Sequence, residues 1–219
     1  MTARIVTVAQ QKGGAGKTTL AAHLAVAWAK GGLKVGVVDI DPQASLTKWF
    51  AERARVKDAI PIELRCVGGW RVQSEVEKLA RTVDLVVVDS PPHAETESKI
   101  AVRAADLVLV PAQPSPMDLW ATKTTLDLAK AEKRPALVIL NRMPARGKLA
   151  DQMRAKYTEL GVPVADAVLG SRVAFAASLL EGRGIAEHSP SSAAGQEMAA
   201  LAAEILTHQS IIKDTFCFF

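Results

Sequence analysis

The sequence predicts an α/β protein with a doubly wound, mostly parallel sheet and helices on both faces. Apolar runs of strand length alternate with stretches of helical periodicity along the chain. The strongest runs, residues 85–88, 107–110 and 136–140, are apolar throughout, which is typical of parallel strands covered on both faces. A glycine-rich segment, residues 11–18, lies between the first strand and the first helix, where open parallel sheets bind ligands. Together these three observations define the fold class.

The elements are expected in a regular order. Helices fill the gaps between strands, among them residues 18–30, which end at the Gly31–Gly32 pair, and 117–133, which end before Pro135. No repeat, linker or low-complexity segment divides the chain. Strands are expected near residues 4–9, 35–39, 62–67, 84–89, 106–110, 135–140 and 163–168.

The segment QKGGAGKT, residues 11–18, has the composition of a nucleotide phosphate cradle. Its glycines let the backbone approach an anion, so that N–H groups and the positive end of the following helix point at phosphate oxygens. We expect Lys17 to reach the β and γ phosphates and Thr18 to ligate Mg²⁺. The alternative, a βα turn without a ligand, would gather Lys12 and Lys17 with no anion to neutralise them.

This phosphate loop departs at one position from the pattern G-x-x-x-x-G-K-[ST]. Gln11 stands where the pattern has glycine, and Lys12 follows it. The loop thereby resembles the deviant Walker motif of the ParA/MinD ATPases, and the chain is most similar to the small, ParF-like ParA proteins. The resemblance implies a P-loop NTPase fold that binds ATP and Mg²⁺, with a Lys12 that reaches the nucleotide of a second subunit. It also implies nucleotide contacts from Gly13, Gly14, Ala15, Gly16, Lys17, Thr18 and Thr19.

Aspartates end two further strands. The run 35–38 leads into Asp39 and Asp41, and the run 85–88 leads into Asp89. Because the carboxyl ends of parallel strands meet in one crevice, these carboxylates are expected beside the phosphate loop. The resemblance implies that Asp41 acts in catalysis on the attacking water, with Lys12 and Lys17, whereas Asp89 and Asp39 serve the metal. Taken singly, each aspartate could instead end a strand or cap a helix.

Two later segments complete the expected site. Asn141 ends a strand where the wider family uses an asparagine for the adenine ring, and an amide offers both a donor and an acceptor to the base edge. Residues 110–119, the proline segment, contain three prolines that hold a long loop stiff. In the small ParA proteins a similar segment lies where two ATP-bound subunits meet. A rigid connector is the alternative interpretation.

Length and composition agree with one domain. The 219 residues, of which 49% are apolar, suffice for a single sheet and its helices, so we expect an ATPase domain over residues 1–208 and a tail of uncertain role over 209–219. Cys66 and Cys217 cannot form a secreted disulfide framework, and no signal-peptide pattern is visible, which favours the cytoplasm. No apolar run approaches the roughly twenty residues of a membrane helix.

Basic residues are concentrated in residues 133–183. This segment contains nine basic and four acidic residues, so it nets +5 while the whole chain nets +4. A localised excess suits a polyanion, and the ParA family binds DNA without sequence preference as an ATP dimer. Arg172, in the region of the family's last nucleotide-proximal loop, is the candidate DNA contact. An ordinary set of solvated helix charges is the alternative.

The resemblance predicts a ParA-type ATPase that positions a cargo on the nucleoid. ATP with Mg²⁺ bridges two subunits, the homodimer holds DNA, and a ParB-like or other adaptor stimulates weak hydrolysis. The cargo, whether plasmid, chromosome region or protein cluster, is not encoded in these motifs. A MinD-like membrane-associated positioning ATPase is the alternative. It would carry a basic amphipathic helix at its carboxyl end, whereas Lys213 is the only basic residue of the tail.

Overall fold

The computed structural model describes residues 3–92 and 95–208, and contains one six-stranded sheet. The strand order is β3-β2-β4-β1-β5-β6, and every neighbouring pair is parallel. The doubly wound α/β prediction is therefore confirmed. The strands are β1 Arg4–Val8, β2 Val35–Asp39, β3 Glu63–Cys66, β4 Leu85–Asp89, β5 Leu107–Ala112 and β6 Ala136–Leu140.

Helices connect the strands. The helix after β1 begins at Gly16, whose left-handed φ of 93° suits glycine, and the helix after β5 begins at Ser115, whose side chain accepts from the N–H of Asp118. A 3-10 turn, Gly69–Arg71, precedes the third helix. The described residues form α1 Lys17–Lys30, α2 Ser45–Arg53, α3 Val72–Leu79, α4 Glu95–Ala104, α5 Pro116–Ala131, α6 Leu149–Glu159, α7 Val173–Leu180, α8 Ile185–His188 and α9 Ala193–Thr207.

The sheet separates two apolar layers. Along β4, Leu85 and Val87 pack in the core that contains α1, α2, α8 and α9, whereas Val86 and Val88 pack against α3 and α4. Further along that second face, α5 and α6 cover β5 and β6. All residues of β2 and β4 are buried, which explains why these strands are apolar without alternation. Burial on both faces leaves the strand ends as the place for polar chemistry.

The prediction of a strand at residues 163–168 is wrong, because the structure has no strand there. A single parallel bridge joins Val164 to Val138 of β6, and a second joins Gly170 to Met143, which follows β6. The backbone N–H groups of Asp166 and Ala167 donate instead to the carboxylate of Glu204 on α9, at 2.7 and 2.8 Å. Ala165 donates to the Val138 carbonyl of β6, so Ala167 would be the next donor of a parallel ladder, and Glu204 takes that donor instead.

Two predictions concern the cysteines and membrane-spanning helices. Cys66 is an exposed free thiol, whereas Cys217 and the rest of the expected tail, residues 209–219, lie outside the described residues. Within residues 3–92 and 95–208, no helix combines the length and the apolar character needed to cross a membrane.

Candidate active site

The phosphate loop joins β1 to α1 at the centre of the sheet. β1 lies between β4 and β5. The chain runs from β1 toward β2 on one side of the sheet, whereas β5 and β6 lie on the other side, and ligands of open parallel sheets bind at such a point. Gly14 and Gly16 have φ angles of 75° and 93°, which favour glycine. A Cβ atom on Gly16 would lie 2.7 Å from the amide nitrogen of Asn141. Glycine is therefore required at this position for its backbone angle and for the approach of Asn141.

A buried polar network connects the start of the phosphate loop to β5 and α5. The Gln10 Nε2 atom donates to the Pro111 carbonyl at 3.2 Å and to Thr122 Oγ1 at 3.0 Å. Thr125 Oγ1 donates to Gln10 Oε1 at 3.1 Å and accepts from the Gln11 N–H at 3.2 Å. These satisfied buried groups fix the loop against α5. Sequence reasoning missed them, although two threonines three residues apart on one helix face were a signal.

Lys12 forms an ion pair with Asp118 at the start of α5. The side chain of Lys12 is 36% exposed, whereas that of Asp118 is 1% exposed. The Asp118 carboxylate also accepts from Ser115 Oγ at 2.7 Å and from the Gln113 N–H at 3.3 Å. The proline segment thus contacts the phosphate loop, a contact that the sequence analysis did not include. The cross-subunit role of Lys12 stays a prediction, and it requires Lys12 to exchange this carboxylate for a phosphate.

Thr18, Asp89 and Lys17 lie together at the mouth of the loop. Thr18 Oγ1 donates to Asp89 Oδ2 at 2.7 Å, and the buried Asp89 Oδ1 has no hydrogen-bond partner among the described residues. Burial raises the pKa of Asp89 to about 7, while the Thr18 hydroxyl opposes this rise. Burial also lowers the pKa of Lys17, against the attraction of Asp89 and Asp41.

These groups fit a magnesium ion. An unpartnered carboxylate oxygen beside a threonine hydroxyl supplies the hard oxygen donors that Mg²⁺ prefers. Mg²⁺ is usually bound by one or two carboxylates together with substrate phosphates and water. Thr18 and Asp89 would therefore hold the ion next to a nucleotide in the phosphate loop. Their predicted metal role is supported by this geometry and stays a prediction.

Asp39 and Asp41 have different surroundings. The buried Asp39 Oδ2 accepts from the Thr47 N–H at 2.8 Å and from Thr47 Oγ1 at 2.7 Å, and Asp39 Oδ1 accepts from the Asp41 N–H at 3.1 Å. Asp41 is only partly buried, and its Oδ1 accepts from the Gln43 N–H at 2.9 Å. Asp39 thus holds the turn that carries Asp41, which has access to water. The metal role of Asp39 and the catalytic role of Asp41 stay predictions.

A cavity of about 840 Å³ opens beside the phosphate loop, between α1, α2 and α7. Its volume lies in the range of ligand pockets. Asn141 lines it, donates through Nδ2 to the Ala15 carbonyl at 3.0 Å, and accepts at Oδ1 from the Arg142 N–H at 2.9 Å. Thr18 and Thr19 lie at its phosphate end. Asn141 is therefore placed between loop and cavity, and its adenine contact stays a prediction.

Arg172 lines the same cavity and is engaged by an acidic side chain. Its Nε donates to Glu197 Oε2 at 2.9 Å, and Glu197 also accepts from the Gly170 N–H at 3.1 Å. Hydrogen bonding to Glu197 raises the pKa of Arg172. A DNA phosphate would have to compete with this carboxylate. The DNA contact of Arg172 stays a prediction, and Glu197, which holds the 170–172 loop, was not foreseen.

The fold and this site agree with the comparison to protein families. Residues 6–185 match the CobQ/CobB/MinD/ParA nucleotide binding domain family. The chain belongs to this family, as the phosphate loop indicated. Within it, the chain is a ParA/MinD-type nucleotide-binding ATPase.

Individual relatives support the same identification. The chain is 32% identical over 182 residues to the maintenance of carboxysome distribution protein A of Halothiobacillus neapolitanus, covering 80% of this chain and 83% of that protein. It is 28% identical to the chromosome-partitioning ATPase Soj of Thermus thermophilus, covering 93% and 95% of the two chains.

Solved structures show the same fold. An ATP complex of a McdA variant from Cyanothece has a TM-score of 0.77 at 18% identity, covering 99% of both chains. The MinC:MinD cell division complex of Aquifex aeolicus has a TM-score of 0.78 at 22% identity, covering 93% of this chain and 96% of that chain. At such identities the similarity confirms the fold alone.

Proposed function

We propose that this protein is a ParA-type ATPase that dimerises around ATP and Mg²⁺, binds DNA without sequence preference and positions a cargo. The observation that carries this proposal is the pairing of Thr18 with a buried Asp89 that has a free oxygen, beside the buried Lys17. A second lysine, Lys12, lies at the surface of the same loop. One lysine is thus available to the chain's own nucleotide and one to a partner's.

The proposed roles follow from burial and contact. Lys17 binds the β and γ phosphates, and the backbone of residues 13–19 cradles them. Thr18 and Asp89 hold Mg²⁺, which neutralises charge on the phosphates when bound. Asp41, partly exposed, orients water for hydrolysis. Asn141 and the cavity beside it receive the nucleoside.

The cargo and the adaptor are proposed from the relatives. The matched proteins are named for carboxysome distribution and for chromosome partitioning, so the cargo is a large protein body or a DNA region. A ParB-like or other adaptor stimulates hydrolysis, which is weak without it. Because the ATP-bound dimer holds DNA, we place it on the nucleoid. The proposed ATPase domain spans residues 1–208.

The DNA step is tested by retention of random-sequence duplex DNA on the immobilised protein. We expect retention with ATP and release with ADP, because a dimer presents two copies of a weak site to one polyanion. Retention should fall with salt, as phosphate contacts require. Phosphatidylserine vesicles serve as the comparison. Retention of vesicles with ATP, without retention of DNA, would replace this proposal with the MinD-like alternative.

A further inference from the structure

The nine basic residues of segment 133–183 do not have equivalent surroundings. Four of them are engaged by carboxylates, so their charge is largely neutralised within the chain. A DNA phosphate would compete with an acidic side chain for each of these cations. The four pairs are Arg154–Asp166, Lys156–Glu159, Arg172–Glu197 and Arg183–Asp58.

Two of the other five cations, Lys133 and Arg134, precede β6, and three lie on one loop between β6 and α6. This β6–α6 loop, residues 142–148, is exposed except for the buried Met143. None of its three cations forms an ion pair with a carboxylate of the residues that the structure describes. The loop therefore presents a charge of +3 within seven residues. Its cations are Arg142, Arg146 and Lys148.

The end of this loop adds to the positive potential. Lys148 occupies the N-cap position of α6, where no side chain caps the helix. A cation at the positive end of a helix dipole is unfavourable, and Asp151 in the first turn of α6 offsets this in part. Arg146 lies two residues before Lys148 and is also exposed. An anion bound at this end would offset the repulsion that remains.

The base of the loop is fixed to the nucleotide cavity. The Met143 N–H donates to the Leu169 carbonyl at 3.0 Å, and the Ser171 N–H donates to the Met143 carbonyl at 2.8 Å. Asn141 precedes the loop and is bonded to the Ala15 carbonyl of the phosphate loop. Asn141, where the nucleotide is proposed to bind, is thus directly followed in the chain by the loop.

We propose that the β6–α6 loop is the surface through which the ATP-bound protein holds the DNA backbone. The inference rests on the proposed function and specifies its DNA site. Free cations on one exposed loop meet phosphates without breaking an existing ion pair, which distinguishes them from Arg172 and the other three paired cations. The nucleotide-linked base of the loop connects this surface to the ATP site.

The test compares two double variants with the same loss of charge. Arg146→Gln with Lys148→Gln removes two loop cations, and Lys130→Gln with Lys133→Gln removes two exposed cations that precede β6, at the opposite end of the sheet. With ATP, the loop variant is expected to retain random-sequence duplex DNA at least tenfold more weakly. Its plot of log affinity against log salt should be shallower by about 1.8 per subunit, or about 0.9 per lost contact. The control variant should bind as the parent does.

The remaining outcomes are separable. Equal losses in both variants, or none in the loop variant while the parent binds DNA, would overturn the loop site and leave the proposed function standing. Failure of the loop variant to dimerise with ATP in sedimentation would assign the loop to the subunit interface and also overturn the inference. A parent protein that retains no DNA with ATP would instead refute the proposed function. Arg172→Gln should bind DNA as the parent does, and a loss as large as that of a loop cation would overturn the distinction between paired and unpaired cations.

Discussion

The two lysines of the phosphate loop have different environments. Lys17 is buried beside Asp89 and Asp41, where its charge is offset by neighbouring carboxylates. Lys12 is partly exposed and pairs with Asp118 of the proline segment. The first lysine is placed to serve the nucleotide of its own subunit. The second can leave its carboxylate for another anion, and the two lysines should therefore differ when each is removed.

Replacing each lysine with alanine should separate binding from association. Lys17→Ala removes a charge-assisted phosphate contact worth about 1.5 to 3 kcal/mol and should abolish detectable ATP binding in calorimetry. Lys12→Ala should retain much of the ATP affinity but lose ATP-dependent dimerisation. Circular dichroism controls for folding, since Asp118 loses its cation. A Lys12→Ala protein that dimerises as the parent does would remove the cross-subunit role.

The buried carboxylate of Asp89 predicts a pH effect. Its pKa in the folded protein, about 7, lies above the ordinary value of 3.8, so the folded state binds more protons between these values. The contribution of Asp89 to the free energy of unfolding is therefore present at low pH and is lost as pH rises toward 7. Without nucleotide, Asp89→Asn should stabilise the protein at pH 8 by roughly 1 to 3 kcal/mol, and by less at pH 5.

Urea unfolding of the parent and the Asp89→Asn protein at the two pH values measures this difference. With ATP and Mg²⁺ at pH 8, the parent should become more stable than the Asp89→Asn protein, because ligand binding stabilises only a protein that holds the ion. An equal stability difference at both pH values would show that Asp89 is ionised throughout.

At the scale of single residues, the sequence predicted the residues of the phosphate-loop motif but not the distant side chains that hold site residues in place. Gly16, Lys17 and Thr18 are adjacent in the chain, so a local pattern identifies them. Asp118 and Glu197 act through contacts with residues 106 and 25 positions away, respectively. No local pattern encodes such pairs, because the partner is chosen by how the helices pack on the sheet.

At the scale of elements, α1 is tied to the helices that close the nucleotide cavity. His23 is fully buried on α1; its Nδ1 accepts from the Ile185 N–H at 3.0 Å and its Nε2 lies 3.1 Å from the Phe175 carbonyl. Because a backbone N–H donates to Nδ1, the ring proton is on Nε2 and donates to that carbonyl. The neutral ring thus joins α1 to α7 and α8. Burial lowers the pKa of His23 to about 4.

This histidine should make the helix packing sensitive to acid. Below its ordinary pKa of 6.5 the unfolded chain binds a proton that the folded ring excludes, so stability is lost as pH falls from about 6.5 to about 4. The slope approaches 1.4 kcal/mol per pH unit for one such group. His23→Gln should be less stable at pH 7 but should show a weaker loss between pH 7 and 5. Urea titrations of both proteins test this, and identical pH dependence would exclude the His23 contribution.

The prediction of strands was correct where burial on both faces determines the structure. It failed where a side chain competes with the sheet for backbone N–H groups. The apolar runs of β2 and β4 are buried on both faces, so pattern and structure agree. Residues 163–168 are apolar except for Asp166, but Glu204 on α9 accepts hydrogen bonds from two of their backbone N–H groups. The competing acceptor lies 38 residues after Asp166 in the sequence, beyond the reach of a local pattern.

At the scale of the whole molecule, the strand order brings distant motifs to one edge. β1 lies next to β4, and β4 lies next to β2, so the phosphate loop, Asp89 and Asp39 follow neighbouring strands. The convergence was predictable because parallel strands share an edge for their carboxyl ends. The proposed second subunit would complete this site with its Lys12. Association and nucleotide binding are then parts of one equilibrium, in which ATP stabilises the dimer.

The most direct test of this account is the oligomeric state of the Asp41→Ala protein in sedimentation velocity. Removal of the water-orienting carboxylate should leave ATP binding intact and stop turnover, so the ATP-bound state persists for the measurement. We predict a stable dimer with ATP and Mg²⁺, a monomer with ADP, and a monomer with ATP when Lys12→Ala is added. A protein that binds ATP and remains monomeric at every concentration tested would contradict the ATP-bridged dimer on which the proposed function depends.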